Sequence, residues 1–323
     1  MKAEILCLLK ETKGYLSGQE LSRHFQVSRT AIWKAIEQLK KSGYEIEAVR
    51  NKGYHLVSIP KVLTREELLS YLGEGSPLVY EKEVDSTNQR GRLLGETKSP
   101  DGTLIVADRQ TGGKGRRGRD WESPADENIY MSVLCYPDMM PDKAPQLTLL
   151  MALAVVKGIK EVTGITPEIK WPNDIVLNGK KVCGILTEMS AQADYINYVV
   201  IGAGINVNQK EFSKELKHKA TSIYLETGEE YNRSLLIGRI SDEFKVYYKR
   251  FLKEQSLHSF KEEYNALLIS REKEVVVMDP KGTFCAYGLG INDRGELKVR
   301  LPDGSVKEIY AGEVSIRGVN GYV

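Results

Sequence analysis

Five short stretches between residues 85 and 208 hold most of the side chains able to do chemistry: Asp85-Ser86-Thr87-Asn88-Gln89, the segment Gly112 to Trp121, Lys170-Trp171-Pro172-Asn173-Asp174, Lys180-Lys181, and Gly202 to Asn208. The second, GGKGRRGRDW, places four cations and four glycines in ten residues. Glycines let backbone amides turn toward an anion, and Lys114, Arg116, Arg117 and Arg119 neutralise phosphate oxygens. Without an anion the same cations repel one another and the glycines carry high entropy. The loop therefore reads as a phosphate lid that orders on its ligand. The plain alternative is a solvated loop, because charge runs usually face water. Lys181 has its own plain reading, a solvated lysine at a hairpin end beside Lys180. Ser86 and Thr87 can cap a helix, and asparagines such as Asn173, Asn206 and Asn208 are often only turn formers.

Gly113 to Gly118 also spells G-x-G-x-x-G, a dinucleotide pattern that requires a helix after the glycines. A strand precedes them and Asp138 lies about twenty residues beyond. After Gly118 the chain reads RDWESPADEN, with Pro124 in its middle and no helical apolar stripe, so no helix start is there to hold a pyrophosphate. No G-K-[ST] closes a P-loop either. The loop sits between two core strands with one aromatic, Trp121, at its end, which does not suit base stacking along a single strand.

The elements that position these residues follow from periodicity. Ile5, Leu6, Leu8 and Leu9 give a short helix that Gly14 stops; Ser17-Gly18-Gln19-Glu20 is a capping box for a second helix over about 18–24, and Ser28 caps a third running to about Lys41. Strands over 44–50 and 54–57 flank the turn Asn51-Lys52-Gly53. This is a winged helix-turn-helix, with Ser28, Arg29, Thr30, Trp33 and Lys34 on the third helix and Arg50 and Lys52 at the wing tip as candidate DNA contacts. A three-helix protein-interaction module is the alternative. Thr64 then caps a linker helix to Leu72. Strands are expected at 79–84, 103–107, 129–136, 169–171, 175–177, 182–189 and 195–204, with a long helix over 144–162 and a hairpin at Asn178-Gly179. Together they make an α+β domain around a mixed, largely antiparallel sheet.

Composition sets the outer bounds. At 323 residues the chain holds two or three domains, and its net charge of +2 does not advertise a polyanionic partner for the whole molecule. The basic excess is local, with 10 Lys and Arg against 6 Asp and Glu in residues 1–60. Cys7, Cys135, Cys183 and Cys285 are scattered, with no C-x-x-C and no histidine cluster for zinc, which suits a reduced cytoplasmic chain. No stretch approaches the roughly 20 apolar residues of a membrane span, so no membrane partner is expected.

In this order and spacing, the stretches DSTNQ, DRQT running into GGKGRRGRDW, KWPND, KVCGIL and GAGINVN resemble the biotin protein ligase signature. With the winged helix, the chain resembles the bifunctional subgroup that is both ligase and biotin operon repressor. The resemblance spans the whole chain. It implies a multidomain α+β protein: a winged helix-turn-helix over 1–62, a class II synthetase-like ligase domain over 63–270 and an SH3-like barrel over 271–323, whose strands fall near 275–278, 285–289, 297–301 and 307–311. It further implies that biotin and ATP, with Mg2+, form biotinyl-5'-AMP, and that a lysine of a biotin carrier domain then takes the biotin. Arg116 falls on the family's lid arginine, Lys181 on its active-site lysine, and Asp174 orients metal or that lysine. Ser86, Thr87, Asn88, Gln110, Lys114, Gly115, Gly184, Leu186 and Gly204 fall on the biotin side. Arg119, Trp121, Asn173, Asn206 and Asn208 fall on the nucleotide side, with Arg116 and Lys181 serving both. Bound biotinyl-AMP is expected to promote a homodimer on operator DNA. Lipoate ligases share this logic and are the nearest enzymatic alternative, and a biotin-sensing repressor without catalysis is the other.

Overall fold

The computed structural model describes residues 1–279, 282–310 and 315–318. At the N-terminus, helices α1 (Lys2–Glu11), α2 (Gly18–Phe25) and α3 (Arg29–Lys41) precede the hairpin β1 (Glu45–Val49) and β2 (Gly53–Ser58). Ile5, Leu6, Leu21, Ile32, Ile36 and Leu39 close a separate small core. Both expected caps form. Ser17 and Glu20 make a reciprocal capping box, and Ser28 Oγ accepts from Ala31 N at 3.2 Å. At the wing, Gly53 has φ +120°, and a Cβ there would lie 2.1 Å from the Leu16 carbonyl oxygen, so only glycine lets the hairpin reach the start of α2.

α4 (Arg65–Leu72), capped by Thr64, carries the joint to the next domain. Its Glu67 is 2 % exposed and accepts from Lys10 Nζ at 2.7 Å, Tyr44 OH at 3.2 Å and Asn232 Nδ2 at 3.3 Å. Burial pushes the Lys10 ammonium down, and the Glu67 carboxylate opposes that shift.

The central domain is a seven-stranded sheet in the order β3-β4-β5-β9-β8-β7-β6. Its strands are β3 (Leu78–Val84), β4 (Thr103–Gln110), β5 (Ile129–Cys135), β6 (Glu168–Lys170), β7 (Asp174–Leu177), β8 (Lys180–Ala191) and β9 (Ile196–Ile205). Within it β3 and β4 run parallel and the other neighbours antiparallel, so the mixed, largely antiparallel sheet is as expected. α5 (Thr87–Glu96) lies close on β5 and β9 through glycines: a Cβ at Gly91 would meet Val200 at 2.8 Å and one at Gly95 would meet Tyr198 at 2.7 Å. α6 (Ala144–Thr163) has Pro145 in its first turn and is buried along most of its length against the sheet and a later helix. Several strand boundaries shift by one to three residues from expectation, and two of the shifts bear on the site. Trp171 leaves β6 because its ring is wanted elsewhere, and β4 continues three residues past Ala107 to deliver Gln110. No helix follows the lid glycines, where Arg116–Gly118 forms a single 3-10 turn.

Next come α7 (Ile223–Thr227), α8 (Arg233–Glu254) and α9 (Lys261–Leu267). The chain ends in a five-stranded antiparallel sheet of β10 (Glu274–Asp279), β11 (Gly282–Ile291), β12 (Leu297–Arg300), β13 (Val306–Ile309) and β14 (Ser315–Gly318), ordered β13-β12-β11-β10-β14. The expected strand end at Ala311 lies outside the described residues. Trp171, 2 % exposed, donates from Nε1 to the Gly295 carbonyl at 3.0 Å and so ties this domain to the turn between β6 and β7. Arg233 at the start of α8 has a side chain 1 % exposed and donates to Asp108 Oδ1 at 2.7 Å, the Asn128 carbonyl at 3.0 Å and the Lys61 carbonyl at 3.2 Å.

Removing one partner of a buried ion pair leaves an uncompensated charge, which costs about 3 kcal/mol. Glu67→Ala is expected to speed amide hydrogen exchange through residues 2–58 while exchange in β5 and β9 is unchanged. Equal protection of the N-terminal helices in both proteins would show that Glu67 does not hold this joint.

Candidate functional site

β3 ends at Val84, and the chain turns through Asp85 and Ser86 into α5. Ser86 occupies the N-cap position, yet its hydroxyl makes no cap bond; the helix-capping alternative for this side chain is not realised. Thr87 donates from N at 2.9 Å and from Oγ1 at 3.2 Å to Gln110 Oε1, which β4 delivers from the next strand. Ser132 Oγ, fully buried on β5, lies 2.8 Å from Thr87 Oγ1 and 2.7 Å from Asn88 Oδ1. Asn88 spends its amide inside the protein, donating to the Leu186 carbonyl at 3.1 Å and to Glu188 Oε2 at 2.8 Å. It therefore borders the cavity while pinning α5 to β8. Ser86, Thr87, Asn88, Gln110, Tyr130, Ile185, Leu186 and Ala203 line one cavity, closed by Lys114, Gly115 and Arg116 of the lid and by Trp121. It has hydrogen-bonding groups at one end and an apolar wall along its length, as a small ligand with a polar head requires.

Its floor is made by absence of side chains. Gly184 on β8 pairs with Gly204 on β9. A Cβ at Gly204 would lie 2.5 Å from Trp121 Nε1; one at Gly184 would lie 2.9 Å from Lys181 Nζ and 3.0 Å from the Trp121 ring. The two glycines let an indole and an ammonium lie close on the sheet.

A second cavity opens beyond, lined by Arg117, Arg119, Asp120, Asp174, Asn206, Gln209, Phe212, Leu216, Lys219 and Ala220. Gly115, Arg116, Trp121, Asn173 and Lys181 line both. Lys181 Nζ is 2.6 Å from Asp174 Oδ1 and 5.1 Å from the Trp121 ring centroid, while neighbouring Lys180 is exposed. Of the two neighbouring lysines, Lys181 is the one that points in. Its backbone is held by Lys219 O and Thr221 N at 2.8 and 2.9 Å. Arg116 turns inward to donate to Asn173 Oδ1 at 3.0 Å, and burial lowers its pKa. Lys170, paired with Asp174 across the hairpin, is buried enough that its ammonium is pushed down to about 8.

The lid itself is laced by Gly112 N to Asp85 O at 2.8 Å, Gly115 N to Arg119 O at 2.7 Å and Trp121 N to Gly113 O at 3.0 Å. Arg117 takes a left-handed φ of 59°, and its side chain is exposed. Lys114 pairs with exposed Asp120 at 2.9 Å, so of the four cations Arg116 alone is drawn under the loop.

One candidate stands apart from both cavities. Asn208 is absent from the walls of both cavities; its amide exchanges bonds with Tyr231, Nδ2 to O at 3.0 Å and N to Oδ1 at 2.9 Å. It is the turn former that its type suggested. Asn206 lines the second cavity, with Nδ2 donating to the Thr221 carbonyl at 2.9 Å. Phe212, Leu216 and Gln209 are wall residues that motif reading misses. Their signal is faint: two apolar side chains four apart in the otherwise charged run QKEFSKELKHKA. Among the described residues no cluster of three or more His, Cys, Asp or Glu is able to hold a metal ion, and Asp174 already serves Lys181. These donors do not fit a resident metal.

On the N-terminal module, Ser28, Arg29, Thr30, Trp33 and Lys34 are exposed along α3, with Trp33 52 % exposed, and Arg50 and Lys52 are exposed at the wing tip. Ser28 spends its hydroxyl on the helix cap, which leaves the other four as the open face.

Comparison with known proteins matches all three regions. The model of the biotin/lipoate A/B protein ligase family matches residues 80–206, an HTH domain matches 2–55, and the biotin protein ligase C terminal domain matches 273–317. The chain is 42% identical over 312 residues to the bifunctional ligase/repressor BirA of Bacillus subtilis (strain 168), covering 94% of each. It is 30% identical to the protein of the same name from Escherichia coli (strain K12), covering 93% of this chain and 92% of that one. Among solved structures, the biotin protein ligase from Aquifex aeolicus in complex with biotin and ATP superposes with a TM-score of 0.66 at 35% identity, over 75% of this chain and 98% of that one.

If the glycine floor seats Trp121, Gly204→Ala should displace the indole and shift its NH resonance in a nitrogen-labelled sample, with far-UV circular dichroism unchanged. An unmoved Trp121 resonance would refute the packing.

Proposed function

The chain belongs to the biotin/lipoate A/B protein ligase family, among its bifunctional ligase/repressors, and from that premise we propose how its residues divide the work. It is a biotin protein ligase whose substrates are biotin and ATP, and it is also a repressor with a helix-turn-helix domain. The observation that carries the assignment of residues is the shared wall of the two cavities, formed by Arg116, Trp121, Asn173 and Lys181. The first cavity takes biotin, with its cyclic urea among Ser86, Thr87 and Gln110 and its valeryl chain over Gly184 and Gly204. The second takes the nucleotide, with the base against Phe212 and Leu216.

Two anions, the biotin carboxylate and the ATP α-phosphate, must then meet where the cations stand. A carboxylate oxygen attacks the α-phosphorus, the bond to the β-phosphate breaks, and pyrophosphate leaves with its charge, giving biotinyl-5'-AMP. Charge on the α-phosphoryl oxygens grows in the transition state, and preorganised cations in a partly dry site stabilise it without reorganising. Lys181 contacts the reacting oxygens. Asp174 aims it, and of the two tasks open to this carboxylate, orienting metal or orienting lysine, the second is the one its geometry supports. Mg2+ travels with ATP. Arg116 holds the adenylate phosphate and closes the cleft. A carrier lysine amine then attacks the acyl carbon and AMP departs.

We further propose that the acceptor is a biotin carboxyl carrier domain and that the protein acts in the cytoplasm. Biotinyl-AMP promotes a homodimer that presents two α3 helices to a symmetric operator, with Arg29, Thr30, Trp33 and Lys34 in the groove and Arg50 and Lys52 on phosphates.

Incubation with MgATP and biotin should yield biotinyl-adenylate and labelled carrier domain, and lipoate should yield neither. Lys181→Ala is expected to slow pyrophosphate exchange by about 100-fold or more. Arg116→Gly should still form adenylate but release it, raising promiscuous lysine labelling. Product from lipoate alone, or an Arg116 variant that retains adenylate, would reject these roles. Sedimentation should show dimer only with biotinyl-AMP, and gel shift should show that the operator complex needs residues 1–62; dimerisation equal in its absence would end the corepressor reading.

A further inference from the structure

Ser123 lines neither cavity, yet its hydroxyl touches residues of both. It is 9 % exposed, accepts from Gln110 Nε2 at 3.0 Å and donates to the Trp121 carbonyl at 2.9 Å. A hydroxyl has one proton and two lone pairs, so both bonds are made at once. On the other side Gln110 Oε1 receives Thr87 N and Oγ1, so Thr87 and Ser123 together dictate which end of the amide is donor and which is acceptor. Rotating that amide by half a turn would set an NH2 against the Thr87 donors.

The lid is tied to the same atom. A Cβ on Gly113, at the first turn of the lid, would lie 2.7 Å from Ser123 Oγ, 2.6 Å from the Trp121 carbonyl oxygen and 3.0 Å from Gln110 Nε2. Trp121, at the far end, bonds from N to Gly113 O at 3.0 Å. Both ends of the loop therefore converge on one hydroxyl. Its platform is firm: the next residue, Pro124, accepts from Tyr130 OH at 2.9 Å, and Tyr130 is 1 % exposed on β5.

We propose that Ser123 is a positioning residue that couples recognition of the cyclic urea of biotin to closure of the cationic lid, acting on the ligand through Gln110 and on the lid through the Trp121 carbonyl. The proposal rests on the assignment of the first cavity to biotin. Thr87 sets the Gln110 amide, one Nε2 proton holds the Ser123 lone pair so that the Ser123 proton is aimed at the lid's end, and the second Nε2 proton is the one offered to the urea oxygen.

The test uses the full chain with Ser123→Ala, Gln110→Ala and the double variant, reading biotin affinity by calorimetry, the escape rate of preformed biotinyl-adenylate, and the KM for ATP. Losing one such hydrogen bond should weaken biotin binding about tenfold and speed adenylate escape about tenfold, with the ATP KM unchanged. Because Ser123 acts through Gln110, the double variant should bind biotin no more weakly than Gln110→Ala alone. Wild-type affinity and escape in Ser123→Ala, or fully additive losses in the double variant, would overturn the coupling. Should Ser123→Ala fail to fold, Gly113→Ala crowds the same hydroxyl and is expected to give both losses, and wild-type values there would overturn it equally. A wild-type protein that made no adenylate from biotin would instead bring down the ligase assignment on which this rests.

Discussion

Lys181 and Asp174 stand 2.6 Å apart at the junction of two cavities, and the rest of the molecule is arranged around keeping that pair in place. An ammonium and a carboxylate facing each other in one cleft offset part of each other's desolvation. Each comes from a different strand, Asp174 opening β7 and Lys181 near the start of β8, so the hairpin between them sets their separation. The glycines at 184 and 204 leave the space, and the Trp121 ring centroid lies 5.1 Å from Lys181 Nζ. A cation held this way presents charge to an incoming anion without first having to find its geometry.

The loop from Gly112 to Trp121 adds further cations beside the same pair. Its four like charges and four glycines would be a liability in an unliganded loop, and the fold manages them separately: Lys114 pairs outward with Asp120, Arg117 stands exposed on a left-handed backbone, and Arg116 goes in to Asn173. Lys114 is screened outward, Arg117 and Arg119 border the second cavity from its exposed side, and Arg116 borders both cavities. The convergence of both lid ends at Ser123 gives that arrangement a fixed base.

Polar joints of the same economy connect the modules. Glu67 gathers donors from α1, from the start of the wing and from the N-cap of α8, and the next residue along, Arg233, reaches Asp108, Asn128 and the linker carbonyl of Lys61. Asn128 in turn receives Val207 N at 3.0 Å and donates to Gln209 at 2.6 Å on the wall of the second cavity. The winged helix and the cleft are thus joined by buried hydrogen bonds as well as by the chain. Such contacts fix orientation more than they add stability, because desolvation offsets most of their gain.

The N-terminal module is legible almost to the residue, since its caps at Ser17 and Ser28, its apolar spacing and its Asn51-Lys52-Gly53 turn are local signals that need no partner. The order of the ligase strands and the identity of Arg116 and Lys181 come from short stretches whose spacing is specific in combination. Three things waited for the tertiary structure. Asn206 and Asn208 look alike in the sequence, and only packing sends one to the cavity wall and the other to Tyr231. Lys180 and Lys181 differ by one position, and the bulged pairing of β7 with β8 decides which faces inward. Phe212 and Leu216 become site residues only because the segment after β9 folds back beside Lys181. Sequence by itself determined which chemical groups are present and the elements formed by near neighbours. The directions in which those groups point were decided by contacts between residues far apart along the chain, which no local pattern records.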